Sequence, residues 1–293
     1  MVFYPGFNLV PLLYIGWWLY DLDTCNQGGR RGWMVHWARR WKIWKYYADY
    51  FPIKLIKTAQ LDPSKNYLIC SHPHGILCFG AVGAFLTEGC GFSESFPGIT
   101  PHLLTVEGQF WWPGCREFLM LGGACSVSKR SIAHLLSRPG GEAPVLVVGG
   151  VCEIINNVIS EIKLCLAKRK GFIKLALLHG TALVPTFSFG ETLIYNSVPG
   201  SFVDKFQHFV ESFIGFAPVM FLGRGLLQYK FGILPHRKPI NVVMGEPIPV
   251  TKNSSPSSDE IEELHEKYVD SLIFLYNKYK SIYGDPNTKL IIN

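Results

Sequence analysis

Asn66-Tyr67-Leu68-Ile69-Cys70-Ser71-His72-Pro73-His74-Gly75 decides how this chain is read. The apolar run through Cys70 has the length and residue types of a buried strand. Ile76-Leu77-Cys78-Phe79-Gly80-Ala81-Val82 follows and reads as the start of a buried helix. Between them, Pro73 restricts the backbone and Gly75 lets it turn without steric cost. Two imidazoles are therefore expected at the C-terminal end of a strand, where open α/β sheets bind their ligands. Histidine is the side chain best suited to moving a proton near neutral pH.

Working outward, short apolar runs alternate with helical patterns. Tyr67–Ser71, Pro144–Val148, Leu183–Ser188 and Asn241–Met244 read as strands, each followed by a polar or glycine-rich turn. Ser128–Arg138 reads as a helix stopped by Pro139-Gly140. Ser257 and Glu260 have the spacing of a capping box, opening a helix with Ile261, Leu264, Tyr268, Leu272 and Leu275 on its core face. The pattern predicts an α/β fold, a mixed sheet with flanking helices. No repeat, low-complexity tract or domain linker divides it.

Of 293 residues, 48% are hydrophobic and only 17% charged, below the quarter or so usual for a soluble domain. With 14% aromatics and eight Trp, this implies an unusually large core or a surface that meets lipid. The net charge of +6 suits an anionic membrane or an anionic substrate. No basic stripe is interleaved with helical reading elements, so nucleic acid is not the expected partner. The eight cysteines show no zinc-type spacing and are expected to be reduced thiols.

Val2–Tyr20 carries no charged side chain. Its length just suffices to span a bilayer, although Pro5, Gly6, Pro11 and Gly16 interrupt it and fit a re-entrant or interfacial element equally well. Trp17, Trp18 and Tyr20 suit the headgroup belt. Residues 1–22 are thus expected to be a hydrophobic membrane segment, and 23–293 one cytosol-facing, membrane-associated domain. Trp33, Trp37, Trp41 and Trp44 recur at helical spacing among Arg39, Arg40, Lys42 and Lys45, which predicts an amphipathic helix at the membrane interface.

Chemistry is expected where strands run into polar groups. His74 is the expected base, able to deprotonate a hydroxyl as it attacks an activated carbonyl. A carboxylate bonded to that imidazole would fix its tautomer, and Glu153, after Val145-Leu146-Val147-Val148-Gly149-Gly150, is the expected partner. Gly149 and Gly150 allow backbone N–H groups to approach an oxyanion. Lys168, Arg169 and Arg224 can hold the phosphates of a carrier. Together these residues suggest acyl transfer to an alcohol without a covalent enzyme intermediate. His72 and His74 have no third ligand at a recognisable spacing, so no metal is expected.

With these residues in view, the chain resembles the diacylglycerol acyltransferase 2 family, which includes monoacylglycerol and wax-alcohol acyltransferases. The landmarks are Gly28-Gly29-Arg30-Arg31, Tyr50-Phe51-Pro52, His72-Pro73-His74-Gly75, Phe96-Pro97-Gly98-Ile99-Thr100-Pro101-His102, Arg169-Lys170-Gly171-Phe172, Phe189-Gly190-Glu191, Gly223-Arg224-Gly225 and Val243-Met244-Gly245-Glu246-Pro247. The resemblance covers nearly the whole chain, from about Leu12. It implies a glycerolipid-acyltransferase-like fold and acyl-CoA as co-substrate, with no cofactor. A mono- or diacylglycerol hydroxyl would be esterified in triacylglycerol synthesis. The setting would be the endoplasmic reticulum membrane and lipid droplets, and a homo-oligomer is compatible with it. The resemblance assigns His74 as base, His72 as its support, Glu153 as second active-site residue, and Pro73, Gly75, Pro101 and His102 to the substrate site.

Two departures accompany it. The family usually carries two N-terminal hydrophobic segments, and this chain begins near what resembles the second. After Glu153, Ile154–Glu161 replaces a loop that usually contains Pro-Gly, which opens the alternative of altered substrate choice or a catalytically silent membrane or lipid-droplet paralogue. A fatty alcohol or retinol remains an alternative acceptor. Phe96–Thr105 and Gly123–Ser128 look wax-synthase-like, whereas Leu61–Tyr67 looks more like the monoacylglycerol branch.

Overall fold

The computed structural model of the chain describes residues 5–150, 152–153, 161–197, 221–225 and 232–293. The departure after Glu153 lies outside the described residues, except for Glu161 itself. Strands β1 (Ile53–Lys57), β2 (Tyr67–His72), β3 (Thr100–Thr105), β4 (Cys125–Ser126), β5 (Glu142–Val147), β6 (Ala182–Phe189) and β7 (Ile240–Met244) form one sheet in the order β1-β7-β6-β2-β5-β3-β4. From β6 through β4 all neighbours are parallel, while β7 pairs antiparallel with β6 and parallel with β1. All six residues of β2 are buried, as a central strand covered on both faces requires. The four expected strands are present with ends shifted by one or two residues; β1, β3 and β4 join them.

Side chains alternate across the sheet, and each face builds its own core. Tyr67, Ile69, Val145, Val184 and Val242 pack on one side with Phe51 and Phe85. Leu68, Cys70, Phe187 and Val243 pack on the other with Ile132, Ile173, Tyr268 and Leu272. The second face is covered by helices Lys129–Leu136, Gly171–His179 and Ser258–Tyr283. The last begins as expected. Ser257 Oγ accepts the Glu260 N–H at 3.2 Å, and Glu260 Oε2 accepts the Ser257 N–H at 2.8 Å. After the histidine turn, Phe79–Ala81 is α-helical and Val82–Leu86 continues as π-helix.

Three expectations are corrected or left open. The tryptophan-rich stretch is two helices, Trp33–Arg39 and Lys42–Tyr50, with Trp41 as the extended cap between them. Trp33, Trp37 and Trp41 are exposed. Arg39, however, points inward, donating to the Pro101 and Phe85 carbonyls at 3.0 and 2.9 Å. The first helix, Pro5–Tyr20, has 16 residues, about 24 Å against a hydrocarbon core of about 30 Å. No helix among the described residues is long and apolar enough to cross a membrane. Finally, Cys152 and Cys165 are joined in a disulfide, with Cα atoms 6.2 Å apart, so the expectation of reduced thiols fails for this pair; the other six are free. A separation of 13 residues is no recognisable cysteine motif in the sequence.

Candidate active site

Because β2, β5 and β6 are parallel neighbours, their C-terminal ends share one edge of the sheet. His72-Pro73-His74 leaves β2, Gly149-Gly150 and Glu153 follow β5, and Gly190-Glu191 follows β6. The His72–Pro73 peptide is cis, and Gly75 is left-handed at φ +57°. This compact turn brings His74 back over the edge.

His74 is half-buried. Its Nδ1 lies 2.9 Å from the Gly75 carbonyl. A carbonyl only accepts, so Nδ1 carries the proton and the neutral ring keeps its lone pair on Nε2. Burial lowers the ring's pKa from its ordinary value, against the Gly75 bond, which raises it. The imidazole is therefore neutral near pH 7. Cys78 Sγ sits 3.5 Å from the same Nδ1.

Glu153 differs from expectation in a way that matters. Its Oε2 accepts the backbone N–H of His74 at 2.7 Å, and Oε1 accepts the N–H of Cys165 at 3.1 Å. It holds the loop that carries the ring; the tautomer is set by the Gly75 carbonyl. Gly149 makes room for it, since a Cβ there would fall 1.8 Å from the carboxyl carbon. Burial pushes Glu153 up to about 7, partly countered by the two N–H bonds.

His72 is fully buried. Its Nε2 lies 3.0 Å from the Tyr268 hydroxyl, which itself lies 3.4 Å from the Cys70 carbonyl. With Nε2–H donating to Tyr268 and Tyr268 donating to Cys70, Nδ1 is left with a lone pair and no partner. Desolvation lowers His72 to about 3, so it is neutral at all ordinary pH. It anchors the end of β2 to the last helix.

The other expected residues divide. Arg169 is exposed beside the turn, its Nη2 3.9 Å from the position a Cβ on Gly150 would take. Lys168 is exposed next to it. Pro101 and His102 are not brought to this edge. His102 is opposite Pro144, and Val145 is opposite Ile69, which leaves His102 four residues, or about 13 Å along the strands, short of His72. Its Nε2 lies 2.7 Å from Glu142 Oε2, and Glu142 also pairs with Arg31 at 2.7 Å. Arg224 donates from Nε and Nη2 to the Tyr50 hydroxyl at 3.0 and 2.7 Å.

Three residues at the edge escaped sequence reasoning as site residues: Tyr268, Cys165 and Glu191. Tyr268 looked like one more apolar position of a helix. Cys165 acts through its backbone, which no side-chain pattern reveals. Glu191 was visible, because a strand running into Gly190 and a carboxylate repeats the pattern that singled out Glu153. It is buried, and accepts the N–H groups of Phe79 and Gly80, each at 2.7 Å. Burial raises it, too, to about 7.

The comparisons agree with one another. The diacylglycerol acyltransferase family matches residues 1–293. The chain is 45% identical over 285 residues to 2-acylglycerol O-acyltransferase 1 of Bos taurus, covering 96% of this chain and 84% of that one. It is 46% identical over 288 residues to Diacylglycerol O-acyltransferase 2 of Danio rerio (97% and 79% covered). It is 40% identical over 293 residues to Acyl-CoA wax alcohol acyltransferase 2 of Homo sapiens (99% and 87%). Among solved structures, the 1-acyl-sn-glycerophosphate acyltransferase PlsC from Thermotoga maritima overlaps with a TM-score of 0.45 at 10% identity, covering 93% of this chain and 91% of that one. With a whole-chain family match and relatives this similar, the chain belongs to the diacylglycerol acyltransferase family and is an acyltransferase.

Proposed function

We propose that this acyltransferase esterifies the free hydroxyl of a mono- or diacylglycerol with the acyl group of an acyl-CoA, and that His74 is its general base. The observation that carries the base assignment is the bond from Nδ1–H to the Gly75 carbonyl, which leaves a basic Nε2 on a neutral ring at the sheet edge. Nε2 takes the acceptor's hydroxyl proton as that oxygen attacks the thioester carbonyl. The C–O bond forms, the tetrahedral intermediate collapses, the C–S bond breaks, and the imidazolium returns its proton to the departing CoA thiolate. Gly149 and Gly150 offer backbone N–H groups to the oxyanion. Arg169 and Lys168, exposed beside them, suit the phosphates of CoA. Glu153 works through the backbone of His74.

Access to so apolar an acceptor is supported by the surface. Leu9, Leu12, Leu13, Trp33, Trp37 and Trp112 are all exposed, and Trp44 touches Phe118 with ring centres 5.8 Å apart. These residues suit the interface of a bilayer. On this reading the chain rests on the cytosolic face of the endoplasmic reticulum membrane and on lipid droplets, with its first helix as an interfacial anchor.

The test is labelled acyl-CoA supplied to membranes carrying the protein, with monoacylglycerol, diacylglycerol, a fatty alcohol and retinol as competing acceptors. Glyceride products are expected, and His74→Ala should lose about 10²–10⁴-fold in rate. A preference for alcohol or retinol would reassign the acceptor. A full rate in His74→Ala would remove the base.

A further inference from the structure

The reaction as written leaves one buried carboxylate at the sheet edge without a part, Glu191. It follows Gly190, which is left-handed at φ +90° and so closely packed that a Cβ would meet the Pro239 carbonyl oxygen at 2.0 Å. The turn therefore commits the Glu191 side chain to the interior. There, Oε1 accepts from Phe79 N–H and Oε2 from Gly80 N–H. These are the first two amides of the helical segment that continues from the His74 loop. The flank of the side chain backs onto the loop as well: a Cβ on Gly75 would lie 2.6 Å from Glu191 Cγ.

Each of these contacts leads to the base. Gly75 supplies the carbonyl that takes the Nδ1 proton of His74. Cys78, immediately before the two clamped amides, is held left-handed at φ +53°, a conformation costing a non-glycine residue about 1–2 kcal/mol. Its sulfur is the other neighbour of Nδ1. A loop with such a residue relaxes unless something holds it, and Glu191 bonds the two amides that follow.

We propose that Glu191 is a positioning residue for acyl transfer, fixing Gly75, Phe79 and Gly80 so that His74 presents Nε2 to the acceptor hydroxyl. This rests on His74 being the base. Glu153 and Glu191 then grip opposite ends of one loop, the first at the His74 amide and the second five and six residues on. A residue needed only for folding would lower the amount or thermal stability of the enzyme and leave the turnover of each folded molecule alone. A positioning residue lowers kcat at unchanged substrate KM.

The experiment uses the full chain in membranes. Glu191→Gln keeps the volume but turns an amide NH2 toward one of the two N–H donors. Glu191→Asp keeps the charge but draws it back by one methylene. Both are expected to lose about 10–100-fold in kcat, the scale of an ångström-sized misplacement, with KM for acyl-CoA within about twofold. Carbethoxylation of His74 by diethyl pyrocarbonate, read by mass spectrometry, should become several-fold faster. A kcat within about twofold of wild type in Glu191→Gln, or full recovery by Glu191→Asp, overturns the proposal. If neither variant accumulates, hydrogen exchange in the wild-type chain decides: Phe79 and Gly80 must be protected, and free exchange at both overturns it. Failure of the base assignment looks different, because His74→Ala would then keep its rate.

Discussion

Gly149→Ala is the sharpest test of how the edge is built. An alanine Cβ would lie 1.8, 2.0 and 2.3 Å from Cδ, Oε1 and Oε2 of Glu153. Nothing yields at such distances except the carboxylate, which must leave its site. It then loses its bonds to the His74 and Cys165 amides, each worth about 1.5–3 kcal/mol for a charged acceptor. Burial outweighs those bonds, since Glu153 is raised from 4.5 to about 7 with both in place, so leaving the site relieves a net amount of about 3 kcal/mol at pH 8. Stability should therefore shift by no more than about 3 kcal/mol. Activity has no such relief. The freed His74 amide moves with its ring, and a displacement near 1 Å costs about 10²-fold. Product formed from labelled acyl-CoA, normalised to protein in the membrane, should fall by that factor while thermal unfolding shifts only modestly. Gly108→Ala, in open space, is the control and should match wild type. A Gly149→Ala enzyme that accumulates normally and works within threefold of wild type would show that Glu153 does not hold the base.

Other outcomes follow from the same geometry. Both carboxylates titrate near 7 while His74 stays neutral to below its ordinary 6.5, so the acid limb of kcat should fall near pH 7; a limb confined below pH 6 contradicts a need for ionised carboxylates. Their effect on stability has the opposite sign. Acids raised by burial contribute most below about 4.5 and lose that contribution as pH rises through 7, so the unfolding temperature should drop between pH 6.5 and 8, where His72 and His74 are already neutral. Tyr268→Phe strips the hydroxyl from His72 and should cost about 1–3 kcal/mol, seen in denaturant melts, with a smaller loss of rate than His74→Ala. Cys152→Ser opens the 13-residue separation of the disulfide and should cost about 3 kcal/mol; an unfolding temperature insensitive to dithiothreitol would show that the bond is not formed. Trp37→Ser with Trp112→Ser should weaken flotation with anionic vesicles and leave unfolding unchanged, since both are exposed.

What was legible in the sequence is what repeats with a period or breaks one. β2 opens with the apolar run Tyr67–Cys70, β6 is apolar apart from Thr186 and Ser188, and the capping box at Ser257 fixes the start of the last helix. The strand–glycine–polar junctions at His72 and Gly149 are legible as strand ends, and the parallel pairing of β2 and β5 puts both at one edge of the sheet. What failed depends on neighbours the one-dimensional pattern lacks. Arg39 reads as one more cation of an interfacial stripe, yet it is consumed by the carbonyls of Phe85 and Pro101. His102 sits in a family landmark, but parallel register keeps it near the other end of β3, bonded to Glu142. Glu153 lies beside His74, but a carboxylate near a histidine invites the reading of a ring contact, whereas the bond it makes is to the His74 backbone N–H.

In the proposed mechanism, that difference in atoms is what lets the half-buried His74 imidazole accept a proton. A carboxylate on Nδ1 would favour the charged ring and raise its pKa. A carbonyl on Nδ1 fixes the same tautomer with a dipole in place of a charge, so burial keeps the ring neutral and Nε2 free to accept. The imidazolium formed during attack is then poorly stabilised and gives its proton up readily, which suits a step whose leaving group is a thiolate in need of one. The negative charge at the edge is directed at amides: Glu153 on His74, Glu191 on Phe79 and Gly80. On this proposal, charge holds the loop still, and a neutral dipole tunes the base. Moving either carboxylate onto the ring would trade a rigid, neutral base for a more basic one that releases its proton less readily.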